Sequence, residues 1–139
     1  MNIFDIMGPV MVGPSSSHTA GAARIGLITR RLLGSQPVRA ELLLHGSFAA
    51  TGAGHGTDRA LVAGLLGMKP DDARLPHSFE LAQQAGMQVQ LGKTVLRGVH
   101  PNTVLLRVED QKGQKMEVVA SSLGGGRVKV CSIDAMEAS

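Results

Sequence analysis

The chain has 139 residues, 43% of them hydrophobic and 18% charged, with a formal net charge of +3. That length supports one domain with a real core, and that balance excludes a disordered chain. With no Trp or Tyr, three Phe and scattered basic residues, nothing favours nucleic-acid binding.

No apolar run approaches the ~20 residues that span a bilayer. The start, Met1-Asn2-Ile3-Phe4-Asp5, has no basic region or long apolar run of a secretory signal. A cytoplasmic protein is expected. The single cysteine, Cys131, excludes an internal disulfide and a metal site built from several thiolates of this chain. Alternating with Val128, Val130 and Ile133, it is expected to be a packed, inert core thiol.

Residues 1–16 read as an irregular entry segment broken by Gly8-Pro9 and Gly13-Pro14. A helix is predicted from Ser17 to Leu33, stopped by Gly34 and Pro37, with Gly21, Ile25, Ile28 and Leu32 on one face and Arg24 and Arg31 on another. Val38–Leu44 reads as a strand ending at His45-Gly46, and Thr57–Leu66 as a helix closed by Gly67. After a turn at Pro70-Asp71-Asp72, a small helix over His77–Ala85 and a strand over Met87–Leu91 follow. Thr103–Glu109 and Lys115–Ser121 are strands joined by the turn Asp110-Gln111-Lys112-Gly113, and Gly124-Gly125-Gly126 leads into a third, Arg127–Ile133. The class is α+β, with helices on one face of a small, mostly antiparallel sheet. No repeat or linker is visible, so residues 1–139 form one domain.

Four polar clusters fall at element ends. The first is Ser15-Ser16-Ser17-His18-Thr19, at the start of the first helix. A helix N-terminus has unpaired N–H groups and partial positive charge, and one Ser or Thr is enough to cap it. Three serines, a histidine and a threonine exceed that need and suit a rim that holds a small anion such as a carboxylate. The others are His45-Gly46-Ser47-Phe48, Gly54-His55-Gly56-Thr57-Asp58 and His100-Pro101-Asn102-Thr103. Four of the five histidines lie in these clusters, and their convergence on one pocket is expected; His77 reads as an exposed or capping residue. No His-Glu-x-x-His pair, Gly-x-Ser-x-Gly elbow or phosphate-loop ending accompanies them. What remains is recognition of a small carboxylate, with a histidine available for proton transfer.

The run from Gly8 to Gly26, containing Gly13-Pro14-Ser15-Ser16-Ser17-His18-Thr19-Ala20-Gly21, resembles the signature of the β chain, or β domain, of iron–sulfur-dependent L-serine dehydratases. The three later clusters and Ser121-Ser122-Leu123-Gly124-Gly125-Gly126 follow in the expected order. The resemblance implies an L-serine ammonia-lyase of serine catabolism and gluconeogenesis, forming pyruvate and ammonia with a [4Fe–4S] cluster rather than pyridoxal phosphate. It puts the cluster in a partner α chain, where one iron acts as Lewis acid on the substrate hydroxyl, with no cofactor bound by this chain alone. It also implies likeness to the allosteric substrate-binding domains of some phosphoglycerate dehydrogenases. The expected partners are the α chain and L-serine, with a homodimer left open and neither nucleic acid nor membrane.

Carried over by position, Ser15, Ser17, His18 and Thr19 would bind the serine carboxylate or shape the pocket. Ser47, Thr57, Asp58 and Asn102 join them as substrate-binding candidates, and His18, His45, His55 and His100 are the catalytic candidates, with the general base unassigned. Neither an ACT domain nor an iron–sulfur domain is expected in the chain. The alternatives are a noncatalytic module that senses serine or another small carboxylate, and a domain whose polar loops only dock a partner.

Overall fold

A computed structural model of the chain describes residues 17–46 and 56–136, with the backbone alone for Ser17, His18 and Met136. Helix α1 spans Ser17–Leu33, strand β1 Arg39–Gly46 and helix α2 Thr57–Leu65. A 3-10 turn over Leu75–His77 leads into helix α3, Ser78–Gln84. Strands β2 (Gln88–Thr94), β3 (Asn102–Glu109), β4 (Lys115–Gly124) and β5 (Arg127–Met136) complete the order. The entry segment 1–16 lies outside the described residues.

Among the described residues the five strands form one sheet in the order β2-β1-β3-β4-β5. β1 pairs with β2 in parallel, and every other pairing is antiparallel. The α+β class read from the sequence holds. Its one parallel pair follows from connectivity, because α2 and α3 separate β1 from β2 and a crossover through helices returns the chain in the same direction.

Alternation decides the two faces of the sheet. Leu42 and Leu44 of β1, Val104, Leu106 and Val108 of β3, and Met116, Val118 and Ala120 of β4 are buried in one core with Ile25 of α1 and Leu61 and Leu65 of α2. The outer face carries an ionic row: Arg107 on β3 reaches Glu41 on β1 at 3.3 Å and Glu117 on β4 at 2.8 Å. Helix α2 is buried at every position but Arg59, as its nearly uninterrupted apolar sequence requires. Ser78 ties α3 to it through a 2.7 Å bond from Oγ to the Arg59 carbonyl.

Two expectations are corrected. The buried side of α1 is Ala22, Ala23, Ile25, Thr29 and Leu33, whereas Leu32 is 43% exposed. The cause is the crossing with α2, where small residues meet around Gly26 and Gly64; turning that side inward rotates Leu32 toward water. Thr29 tolerates burial because its hydroxyl donates to the Ile25 carbonyl at 2.9 Å.

Cys131 is not a core thiol but is exposed. The β4–β5 register slips between Val119 and Ala120, so that Val119 faces Ser132, Ala120 faces Val130, and Cys131 falls between. A bulge breaks the alternation on which a buried thiol depends. No helix among the described residues is long and apolar enough to cross a membrane.

Candidate functional site

Strand direction gathers the polar clusters. β1 ends with His45 opposite Thr103 and Gly46 opposite Asn102, at the start of β3. Thr94, at the end of β2, also lies beside His45, and Thr103 faces Ser121 near the end of β4. One end of the sheet therefore carries Thr94, His45, Thr103 and Ser121 in a single row.

The first turns of two helices reach the same end. A β-carbon on Gly21 would lie 2.9 Å from Cβ of Ser122 and collide with its hydroxyl, so α1 begins flush on the end of β4. α2 runs alongside in the same direction, since Gly67, just past its end, lies against the Arg30 guanidinium late in α1. Both N-termini therefore direct N–H groups and partial positive charge toward this end of the sheet. Thr19 in the first turn of α1 and Thr57 and Asp58 in that of α2 are buried. Gly56 provides no side-chain cap for α2, while Asp58 Oδ1 accepts the Arg59 N–H at 2.8 Å.

Both described histidines of these clusters are held in the same way. The Leu96 N–H donates to His45 Nδ1 at 3.0 Å, and the Asn102 N–H donates to His100 Nδ1 at 3.0 Å. With Nδ1 accepting, the proton of each neutral ring sits on Nε2. His45 is half-buried and His100 exposed. Gly46 lets the two loops touch: a β-carbon there would strike the Pro101 carbonyl, whose carbon lies only 3.1 Å away.

Beneath His100 runs a chain of hydroxyls. Thr103 Oγ1 donates to the His100 carbonyl at 2.5 Å and lies 2.7 Å from Ser121 Oγ. Ser121 Oγ is in turn 3.5 Å from Cys131 Sγ. Because Thr103 has one proton, and the carbonyl takes it, Ser121 is the donor to Thr103. Thr103 and Ser121 are 0% and 1% exposed, so this network fixes the loop that carries His100.

Thr19, Thr57 and Asp58 on the helices, and His45, His100 and Asn102 on the strands and their loops, thus lie toward the same end of the sheet. Ser17 and His18 lie on the first turn of α1 by their backbone, and Ser15, Ser47 and His55 lie outside the described residues. His77 stands apart and exposed, 3.4 Å from Glu80. Thr103, Ser121 and Ser122 were not singled out as site residues in the sequence. The one signal for the Thr103–Ser121 pair is register, since counting outward from the Asp110–Gly113 turn sets the two opposite each other.

Comparison with known proteins gives this constellation its context. A family model described as serine dehydratase beta chain matches residues 2–132. The chain belongs to the serine dehydratase beta chain family. It is 48% identical over 132 residues to the "L-serine dehydratase, beta chain" of Peptoniphilus asaccharolyticus, covering 94% of this chain and 60% of that one. Against the "Probable L-serine dehydratase, beta chain" of Bacillus subtilis (strain 168) the identity is 43% over 136 residues, covering 98% and 61%. "L-serine dehydratase 2" of Escherichia coli (strain K12) matches at 42% over 77 residues, 51% of this chain and 16% of that one. The chain spans about three fifths of the length of the two β-chain relatives.

An iron–sulfur cluster, which the family resemblance implies, does not fit the donors of this chain. The sequence has one cysteine, where a cluster takes several thiolates. Among the described residues no three His, Cys, Asp or Glu side chains group to hold a metal ion.

Proposed function

We propose that this chain is the β subunit of an L-serine dehydratase, acting with an α chain that holds a [4Fe–4S] cluster to convert L-serine to pyruvate and ammonia. Membership of the serine dehydratase beta chain family supports this reading. The observation that carries it further is the shared position of the polar clusters, with His45 beside Thr103, Gly46 beside Asn102 and Gly21 seated on Ser122. Those groups form one wall of a pocket that the α chain completes.

On this wall the substrate carboxylate is drawn to the N-termini of α1 and α2, where backbone N–H groups and hydroxyls from Ser15, Ser17, Thr19 and Thr57 serve as donors. His45 and His100, each accepting at Nδ1, offer an Nε2 proton as a hydrogen-bond donor. A ring in that tautomer does not remove the α-proton. The base then comes from His18, His55 or the α chain. No step is assigned to cluster chemistry on residues of this chain.

The test is anaerobic reconstitution. The purified chain should be colourless and form no pyruvate from L-serine, and the mixture with its α chain should form it. A brown preparation of this chain alone, with stoichiometric iron and sulfide, would overturn the division of labour. Heat of serine binding to the isolated chain, without turnover in the mixture, would favour an allosteric sensor instead.

A further inference from the structure

Among the described residues β5 is an edge of the sheet, and every residue from Lys129 to Ala135 is exposed. Val130 and Ile133 leave 36% and 48% of their surface in water. A long uncovered edge is a template for another strand. In a regular strand neighbours point to opposite faces, so a two-fold axis through an antiparallel pair can only set a residue against its own copy.

The bulge changes that rule. Cys131 lies on the outer face, 3.5 Å from Ser121 Oγ, and Ser132 shares that face because it pairs with Val119. The strand on either side then mirrors itself. Val130 and Ile133 oppose the inward Ala120 and Val118, whereas Lys129 and Asp134 oppose the outward Ser121 and Glu117.

We infer that β5 is a self-pairing edge. Two copies of the chain join antiparallel along it, about an axis between Cys131 and Ser132, into one continuous sheet. In this register Lys129 of one copy meets Asp134 of the other, and Val130 meets Ile133, on each side of the axis. A shift of one residue would set outward side chains against inward ones along both arms.

Charge complementarity identifies the occupant as a second copy. Within the chain, Asp134 sits opposite Glu117, a like-charge pairing that costs stability, and Glu117 is already bound by Arg107 at 2.8 Å. Neither Lys129 nor Asp134 has an ion-pair partner among the described residues. Across the axis each finds one. The apolar pair Val130–Ile133 supplies burial beside it.

The inference does not depend on the proposed activity, and its test uses the full chain without substrate or α chain. Sedimentation over a concentration series should give a dimer. Lys129→Glu and Asp134→Lys should each weaken it by about tenfold, and the double reversal should restore it; circular dichroism checks that the exposed substitutions leave the fold intact. The register also sets the two Cys131 Cα atoms about 6 Å apart, within the reach of a disulfide. Mild oxidation should therefore cross-link the dimer through the chain's one cysteine. A monomer at the highest soluble concentration, a dimer indifferent to either reversal, or a dimer that fails to cross-link would each overturn the inference.

Discussion

Gly26 of α1 and Gly64 of α2 meet backbone to backbone. A β-carbon on Gly64 would fall 2.8 Å from Gly26 Cα and 2.7 Å from the Leu27 nitrogen, and would strike the Ala23 carbonyl. All three obstacles are backbone, so relief requires the helices to separate. Gly64→Ala should destabilise the fold by about 3 kcal/mol, the upper part of the range for overpacking, or roughly 10 °C in Tm. Gly86, with nothing within 4 Å of a built β-carbon and a φ of 80°, is the control. Its replacement by Ala costs only left-handed strain, about 1 kcal/mol. Thermal unfolding of the two variants side by side decides whether the crossing is as close as described.

The buried pair Thr103–Ser121 should behave as a unit. Ser121→Ala leaves the Thr103 hydroxyl short of one partner, and Thr103→Val leaves both Ser121 and the His100 carbonyl short. Each should cost about 1–3 kcal/mol. The double variant should cost less than the sum, with a coupling of about 1 kcal/mol between touching residues. Urea unfolding of the four proteins measures it, and strict additivity would mean that the 2.7 Å contact contributes nothing.

Acid should act through Asp110. Its carboxylate accepts the N–H groups of Lys112 and Gln114, each at 2.9 Å, and the Ser35 hydroxyl at 3.1 Å, joining the β3–β4 turn to the segment after α1. Burial alone would raise its pKa. The bonds from Gln114, Ser35 and Lys112 outweigh burial and leave it below the usual carboxylate value. A folded pKa below the unfolded one means that stability is fully present above about pH 4 and lost as pH falls through the lowered value. Asp110→Asn should therefore be less stable than the parent at neutral pH, and the gap should close under acid. Asp72, held at about 2 by the Arg74 side chain and backbone N–H, contributes equally to both proteins and cancels in the difference. Denaturant midpoints measured across pH 2–6 give the comparison.

For the proposed carboxylate grip, Ser17→Ala and His18→Ala are the direct test in the reconstituted enzyme. Loss of one charge-assisted hydrogen bond costs roughly 1.5–3 kcal/mol, or about one to two orders of magnitude in kcat/KM. A capping role alone would lower stability by about 1 kcal/mol and leave the kinetics near normal. Thermal midpoints and kcat/KM from the same preparations separate the two.

What the sequence could tell depended on how local the determining physics is. The bounds of α1 were legible because Ser17 opens an amphipathic run and Gly34 closes it. The β3–β4 hairpin was legible because Asp110 and Gly113 are turn residues with alternating strands on either side. The rotation of α1 was not, because it is fixed by Gly64 on α2, nearly forty positions from Gly26. Nor was the exposure of Cys131, since a bulge has no signature in Val-Lys-Val-Cys-Ser-Ile and alternation was the only available guide. The polar clusters could be named one by one, but the Leu96 N–H that orients His45 comes from a loop on the far side of α2, α3 and β2. No spacing rule connects them.

The seating of Gly21 on Ser122 also orders events during synthesis. About a hundred residues separate the two, and at 5–20 residues per second the ribosome takes roughly 5–20 s to cover that distance. Once Leu65 has been made, a little before the middle of that interval, α1 and α2 can already cross at Gly26 and Gly64, while the first turn of α1 still has no surface to rest on. The nascent chain therefore acquires its helical layer before its polar end, and a chain stalled short of Ser122 should remain open to proteolysis near Gly21. Assembly with any partner that docks on that end must wait until Ser122 has left the ribosome.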